Sequence, residues 1–255
     1  MTKKSYPLGI DVGGTGIKGA PVDLDTGEFV ADRLRIDTPE GATPGAVADV
    51  IAEIVEHFSD LVGDEPIGVT IPGVVQHGVV RTAANIDPAW IDTNAEELIA
   101  ARLGRRVTVV NDADAAGYAE IHYGAAKDRD GLVVVTTLGT GIGSAVINDG
   151  QLVPNSEFGH LEIDGKDAEK KAAHSAKERE ELSYEKWAKR LTKYYTTLEN
   201  LLWPDLLVVG GGVSKKADKF LPLLDEVRTE IVPARLQNAA GIVGAARLAH
   251  EAHTN

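Results

Sequence analysis

Asp11-Val12-Gly13-Gly14-Thr15-Gly16-Ile17-Lys18-Gly19 is the stretch on which the reading of this chain turns. It follows a short apolar run at residues 8–10, so it sits at the end of a first strand. Its glycines and threonine let the backbone come close to a large anion. Asp11 puts a carboxylate at the strand end, where it can hold a cation, and Lys18 adds a positive charge nearby. Together these features point to a phosphate-and-metal site. Gly14, Gly16 and Gly19 also match the spacing of a dinucleotide fingerprint, but that fingerprint needs a helix after the glycines. Here Ala20-Pro21-Val22-Asp23-Leu24-Asp25-Thr26-Gly27 follows, then Glu28-Phe29-Val30. Alternation, an Asp-Thr-Gly turn and a further β-like run signal a hairpin. The expectation is a hairpin tip that presents Gly13, Gly14, Thr15, Gly16 and Lys18 to phosphate. Taken alone, the stretch also reads as an ordinary glycine-rich turn.

The same device recurs about half a chain later. The apolar run at residues 131–138 meets Gly139-Thr140-Gly141-Ile142-Gly143-Ser144, and another β-like run and turn follow. A duplicated strand, phosphate loop and strand implies two related lobes, each giving a phosphate-binding hairpin to one cleft. Thr137, Gly139, Thr140, Gly141 and Gly143 are the second set of donor-binding candidates. A third glycine cluster, Gly210-Gly211-Gly212, follows an apolar strand at 206–209 and precedes an expected helix through Phe220. That order suits a phosphate at a helix N-terminus, with Lys215, Lys216 and Lys219 on the helix.

Between these loops, Thr43-Pro44 opens a helix with Thr as N-cap. A strand at 66–71, a short helix at 94–103 and a strand at 106–110 follow. The last ends at Asn111-Asp112, ahead of a helix at 113–123. Strand ends beside helix starts are where α/β folds place ligands. One of Asn111 and Asp112 caps the helix, which leaves the other to face a cleft. Glu157 and His160, just past the second loop, offer donors and acceptors suited to a sugar. Residues 165–181 are charged and expected to be exposed. The aromatic stripe on an amphipathic helix from Tyr184 to Leu201 reads as core. A last strand at 230–233 and a closing helix at 239–252 complete the chain.

Composition narrows the function. The 255 residues carry a net charge of −13, which disfavours nucleic acid and anionic membranes as partners. No cysteine is present, which removes thiolate zinc sites and cysteine nucleophiles. No apolar run is long enough to span a bilayer, and a cytoplasmic location is expected. Residues 166–219 hold 12 Lys/Arg and 9 Asp/Glu, net +3, so the remainder is net −16. The common cause of such a run is a solvated helix face.

Asp11-Val-Gly-Gly-Thr15, Asn111-Asp112, Leu138-Gly-Thr-Gly-Ile-Gly143, Glu157-x-Gly-His160 and Gly210-Gly-Gly212 together resemble the ROK sugar kinases from about Leu8 to His250. The resemblance implies an α/β, two-lobed actin-like (ribonuclease H-like) fold, with mixed sheets flanked by helices and the active site in the interlobe cleft. The expected lobes are residues 1–110 plus 239–255, and 111–238. Thr82-Ala-Ala-Asn85, Trp90-Ile91 and Gly210-Gly-Gly-Val-Ser-Lys-Lys-Ala-Asp-Lys219 resemble the subgroup that phosphorylates glucose from polyphosphate. Most ROK kinases place a Cys-rich zinc loop after Glu-x-Gly-His. This chain lacks it, so no zinc is expected, and Glu169 takes the place of a sugar-binding Glu.

The implied roles are these. Asp112 is general base to the glucose 6-hydroxyl. Asn85, Asn111, Asp112, Glu157, His160 and Glu169 bind glucose. Asp11 holds Mg²⁺. The three glycine loops and Lys215 bind the donor, and Lys127, Arg129, Lys215, Lys216 and Lys219 are candidates for a polyphosphate path. A homodimer is implied as well. An ATP-dependent glucokinase, or a ROK kinase for mannose or another hexose, is the alternative. ROK repressors carry an N-terminal DNA-binding helical element, and about seven residues ahead of the first strand are too few for one.

Overall fold

The apolar run at the start becomes β1 (Leu8–Val12), in which only Asp11 is not fully buried. The chain reverses through the glycines into β2 (Ile17–Asp23), antiparallel to β1, with Asp11 opposite Lys18 and Val12 opposite Ile17. The opening stretch is therefore a hairpin tip. In this computed structural model residues 4–83 and 86–254 are described; Asn85 lies outside them. β3 (Glu28–Phe29) and β4 (Leu34–Ile36) both pair with β2. A bend at residues 30–31 separates the two, and polar Asp32 and Arg33 keep β4 from starting before Leu34.

Pro44 stands in the first turn of α1 (Pro44–His57), where a missing N–H costs nothing. The Thr43 side chain, expected to cap this helix, makes no cap hydrogen bond. α1 buries Val47, Ala48, Ile51, Ile54 and Val55. After α2 (Ser59–Val62) comes β5 (Ile67–Ile71), wholly buried and parallel to β1. The two-residue strands β6 (Val75–Gln76) and β7 (Val79–Val80) form a small hairpin. Asn94 caps α3 (Ala95–Leu103) by accepting from the Glu97 N–H. β8 (Val107–Asn111) lies parallel to β5 and runs directly into α4 (Asp112–Tyr123). The sheet order is β3-β2-β1-β5-β8, with β4 on β2.

The second sheet repeats the device. β9 (Leu132–Leu138) and β10 (Ile142–Asn148) form a hairpin, and β11 (Gln151–Val153) extends it. β12 (Glu162–Ile163) and β13 (Lys166–Asp167) make a separate small hairpin. α5 (Glu169–Ala172) and α6 (His174–Arg179) follow. This segment is not simply exposed, because Ala172, Ala173 and Ala176 are buried. α7 (Tyr184–Leu202) buries Trp187, Leu191, Tyr194, Tyr195 and Leu198, so its aromatic stripe is core, although Leu201 points to solvent. β14 (Leu206–Gly210) lies parallel to β9, and β15 (Ile231–Pro233) parallel to β14.

α8 (Ala240–Thr254) then returns to the first sheet and packs on β1, β5 and β8. It lies so close that a Cβ at Gly9 would overlap the Ile242 carbonyl oxygen, and one at Gly68 the Ala245 carbonyl oxygen. Residues 1–119 with 239–255 form one compact unit and residues 120–238 another. The division falls within α4, whereas the sequence placed it ahead of that helix, after residue 110.

Candidate active site

In the first unit, strand register lines up the candidate groups. Asp11 faces Thr70 across β1 and β5, and Thr70 faces Val110 across β5 and β8. The carboxyl ends of three parallel strands therefore carry Asp11, Thr70 and the Asn111-Asp112 pair, the ligand end of such a sheet. Lys18 Nζ lies 3.4 Å from Asp11 Oδ2. The buried Thr70 hydroxyl donates to Asp11 Oδ1 at 3.0 Å and accepts from the Val12 N–H. Gly241, in the first turn of α8, brings helix backbone to the same carboxylate: a Cβ there would stand 3.2 Å from Asp11 Oδ1. One partly exposed carboxylate is the usual protein share of a Mg²⁺ site completed by water and substrate phosphates. Asp11 fits that part.

The hairpin tip is braced from two sides. The Gly13 N–H donates to Gly16 O, and the Thr38 hydroxyl to Gly13 O. Arg35, opposite Lys18 in the β2–β4 register, donates from Nη2 to Thr15 O at 2.8 Å. Its guanidinium lies where a Gly16 side chain would be, 2.7 Å from a built Cβ. Sequence reasoning missed Arg35, Thr70 and Gly241.

At the β8–α4 junction the two adjacent polar residues divide their labour. Asn111 is 7% exposed. Its Oδ1 accepts from the Asp114 N–H and its Nδ2 donates to Gly73 O, each at 3.0 Å. Asn111 is therefore the helix cap, and its amide is engaged with backbone. Half-buried Asp112 accepts from the next N–H, that of Ala113, at 2.9 Å.

In the second unit, the Gly139–Gly141 tip is held from below: the Gly139 N–H donates to Gly141 O, and Ser175 donates from N to Gly139 O and from Oγ to Thr140 O. Thr137 faces Gly143 in the hairpin and Gly210 in the parallel pair. A Cβ on Gly211, which has φ 82°, would overlap Leu138 O. The second and third glycine loops thus meet. The expected helix after Gly212 is not α-helical. Gly212–Lys219 is a 3-10 segment with non-helical backbone at Lys216. Short 3-10 turns lack the aligned dipoles of an α-helix, so no α-helical N-terminus stands behind Gly210–Gly212. Lys215, Lys216 and Lys219 are exposed on this segment, and Arg129 is paired with Glu230.

Glu157, His160 and Glu169 gather around the second hairpin. The Glu169 carboxylate accepts from the Ile142 N–H at 3.0 Å and lies over Gly141. His160 Nδ1 is 3.0 Å from Asp167 Oδ2, and Asp167 Oδ1 accepts from the Glu169 N–H. Asp167 thus ties two sugar candidates together. A Cβ on Gly159 would overlap Ile142 O, so the Glu-x-Gly-His turn lies flat on β10. Ligand atoms of His160, Asp167 and Glu169 lie within 4.8 Å of one another, close enough to share a cation. The hydrogen bond to Asp167 raises the His160 pKa. Burial raises that of Glu157, and the Glu169 charge adds to this, against the pull of His160.

Comparison with known proteins bears on the whole chain. Residues 7–171 match the ROK family. A polyphosphate glucokinase of Mycobacterium tuberculosis (strain CDC 1551 / Oshkosh) is 59% identical over 96% of this chain and 91% of its own length. The crystal structure of an inorganic polyphosphate/ATP-glucomannokinase from Arthrobacter sp. strain KM is 52% identical, with TM-score 0.93, covering 98% of this chain and 100% of that one. A Streptomyces griseus ROK glucokinase shares the fold, with TM-score 0.83 at 24% identity over 97% of this chain and 100% of its own. The architecture is the actin-like ATPase fold, mixed sheets flanked by helices. The chain belongs to the ROK family.

Proposed function

We infer that this chain transfers the terminal phosphoryl group of inorganic polyphosphate to the 6-hydroxyl of glucose. The geometric observation that carries the reading is the junction at Asn111-Asp112. Because Asn111 makes the cap, Asp112 stands at the carboxyl end of the sheet without that duty. Its role as a base is supported by the sheet it ends: β1, two strands from β8, runs into the Gly13–Gly16 hairpin tip. The identities to a polyphosphate glucokinase and a polyphosphate/ATP-glucomannokinase support the donor and acceptor.

Phosphoryl transfer asks for position, charge neutralisation and a base. Asp112 takes the proton of the glucose 6-hydroxyl as its oxygen attacks the terminal phosphorus. The bond from that phosphorus to the bridging oxygen breaks, and the donor leaves one phosphate shorter. Glu157, His160 and Glu169 hold other hydroxyls; Glu157, pushed up by burial, keeps a larger protonated share than a surface carboxylate. Asn111 serves by fixing the junction. The amides of Gly13–Gly16 and Gly139–Gly143, with Lys18, take the donor oxygens, and Arg35 keeps the first tip in shape. Asp11 would hold Mg²⁺, whose charge offsets that of the phosphates. Gly210 pairs with Thr137 of the second tip's strand, which supports giving the Gly210–Gly212 loop and Lys215 a part in binding the donor. The same reading expects a homodimer and a cytoplasmic location. Among the described residues, no helix is long and apolar enough to cross a membrane.

Glucose 6-phosphate formation with Mg²⁺ tests this, with long-chain polyphosphate and ATP compared at matched phosphoryl concentration. Turnover with polyphosphate is expected. Turnover with ATP alone would overturn the donor assignment. A mannose arm is included because the Arthrobacter protein is a glucomannokinase.

A further inference from the structure

The basic residues of 166–219 are not spread evenly over a solvated face. Four of them converge on a cavity of about 270 Å³ in the second unit, walled by the β12–β13 hairpin, α5 and α7. They are Lys166, Lys171, Arg190 and Lys193, and the lining adds a single carboxylate, Asp164. Asp164 is paired with Lys193. Arg190 is fixed by two bonds, one to Lys171 O at 3.0 Å and one to the Glu180 carboxylate at 2.5 Å. Its hydrogen bond, helped by the charges of Lys171 and Arg179, holds Glu180 down to about 2. Lys166 and Lys171 form no ion pair among the described residues. The cavity therefore has two ammonium groups in excess and a guanidinium held in one orientation.

Tyr194 backs the cavity and is 1% exposed, so the groups open to a ligand are the lysines and Arg190. At about 270 Å³ the space lies below the 300–1,000 Å³ usual for drug-sized ligands, so it suits a small anion better than a nucleotide.

We propose that this cavity is an oxyanion site, apart from the sugar and donor residues, for a small phosphate-class ligand bound by Lys166, Lys171 and Arg190. Free orthophosphate, a sugar phosphate and the end of a polyphosphate chain share that chemistry. The site is wired to the sugar cluster by the chain itself. Lys166 immediately precedes Asp167, the partner of His160, and Lys171 lies on α5, which opens with Glu169. Occupancy fixes this segment and so changes the glucose KM while leaving kcat in place. The assignment does not depend on which donor the enzyme uses.

Isothermal titration calorimetry on the whole chain is the test, with separate arms for orthophosphate, glucose 6-phosphate and long-chain polyphosphate. The wild type is compared with Lys166→Gln/Lys171→Gln. The donor residues also take phosphate, so the readout is the difference between the two proteins. A binding component weakened by about a hundredfold is expected, roughly tenfold for each charge-assisted contact removed. Steady-state kinetics should show kcat retained in the variant and the phosphate effect on glucose KM gone. The arm with the largest difference names the source. Identical isotherms for the two proteins in every arm would overturn the proposal. Should the double variant fail to fold, Lys166→Gln alone decides, at an exposed side chain. It removes one charged contact, and a loss of about tenfold in phosphate affinity is expected. Unchanged affinity would refute the site.

Discussion

Asp112→Asn and Asn111→Ala should separate chemistry from architecture at two adjacent residues. In Asp112→Asn the amide oxygen can still accept from the Ala113 N–H, and the Asn111 cap is untouched. What is lost is a negative charge at a helix N-terminus, worth about 0.3–1 kcal/mol, and the ability to take a proton. Stability should fall by no more than about 1 kcal/mol. Turnover should fall by about 10²–10⁴-fold, the size of a general-base contribution, or about 2.7–5.4 kcal/mol of transition-state stabilisation. Asn111→Ala does the opposite. It deletes the acceptor for the Asp114 N–H, a cap worth about 0.5–2 kcal/mol. It also strips Gly73 O of its donor in a buried place, about 1–3 kcal/mol. The sum is about 1.5–5 kcal/mol of folding free energy, with partial relaxation favouring the lower part. Urea unfolding measures the first quantity, and a coupled glucose-6-phosphate dehydrogenase assay with polyphosphate measures the second. The reasoning fails if Asp112→Asn keeps turnover within tenfold of wild type. It also fails if Asp112→Asn proves the more destabilised of the two.

Three further outcomes are expected. The raised pKa of His160 means that its charged contact with Asp167 is complete below about pH 6.5 and is lost as pH rises through the higher folded value. Glucose KM should therefore climb above about pH 6.5, with the midpoint moved down in Asp167→Asn, while stability changes little because the ring is half exposed; a flat profile would count against His160 as a sugar ligand. Thr70→Val removes the hydroxyl that orients Asp11, so the Mg²⁺ concentration giving half-maximal rate should rise about 3- to 10-fold, as for one lost hydrogen bond; no change in a Mg²⁺ titration would separate Asp11 from the metal. Gly211→Ala forces a side chain into positive φ and against Leu138 O, and a loss of about 1–3 kcal/mol is expected in urea unfolding; wild-type stability would mean that the third loop is not pinned to β9.

What the sequence showed of the site follows how local each contact is. Asp11 and Lys18 were readable as a pair because a tight hairpin brings a strand end back on itself within one turn. The Asn111-Asp112 division was half readable: one residue had to cap, but which one depends on Gly73, 38 positions away. Thr70 and Arg35 were out of reach because parallel crossovers and an antiparallel return, not sequence spacing, place them at Asp11 and the first tip. Gly241 left a trace, since it and Gly244 interrupt an Ala-rich helix, and interior helix glycines mark close approach. The segment after Gly212 misled because Val213, Ala217 and Phe220 have a spacing that an α-helix and successive 3-10 turns both satisfy. Asp167 belongs to no motif of its own, and its bond to His160 needed the β12–β13 hairpin to become visible.

The tight seat of α8 on β1 and β5 has a consequence for how the chain is made. Gly9 emerges from the ribosome 233 positions before Ile242, whose carbonyl it must accommodate. At about 5–20 residues per second that interval is on the order of ten to fifty seconds. Throughout it, the face of β1 and β5 that will receive the helix has nothing to lie against, while the intervening 120–238 unit has all of its own strands and can close first. The first strand synthesised thus belongs to the last unit completed. Slowing translation late in the message should prolong this state, which pulse-labelled nascent chains would reveal as a protease-sensitive N-terminal region beside an already resistant middle.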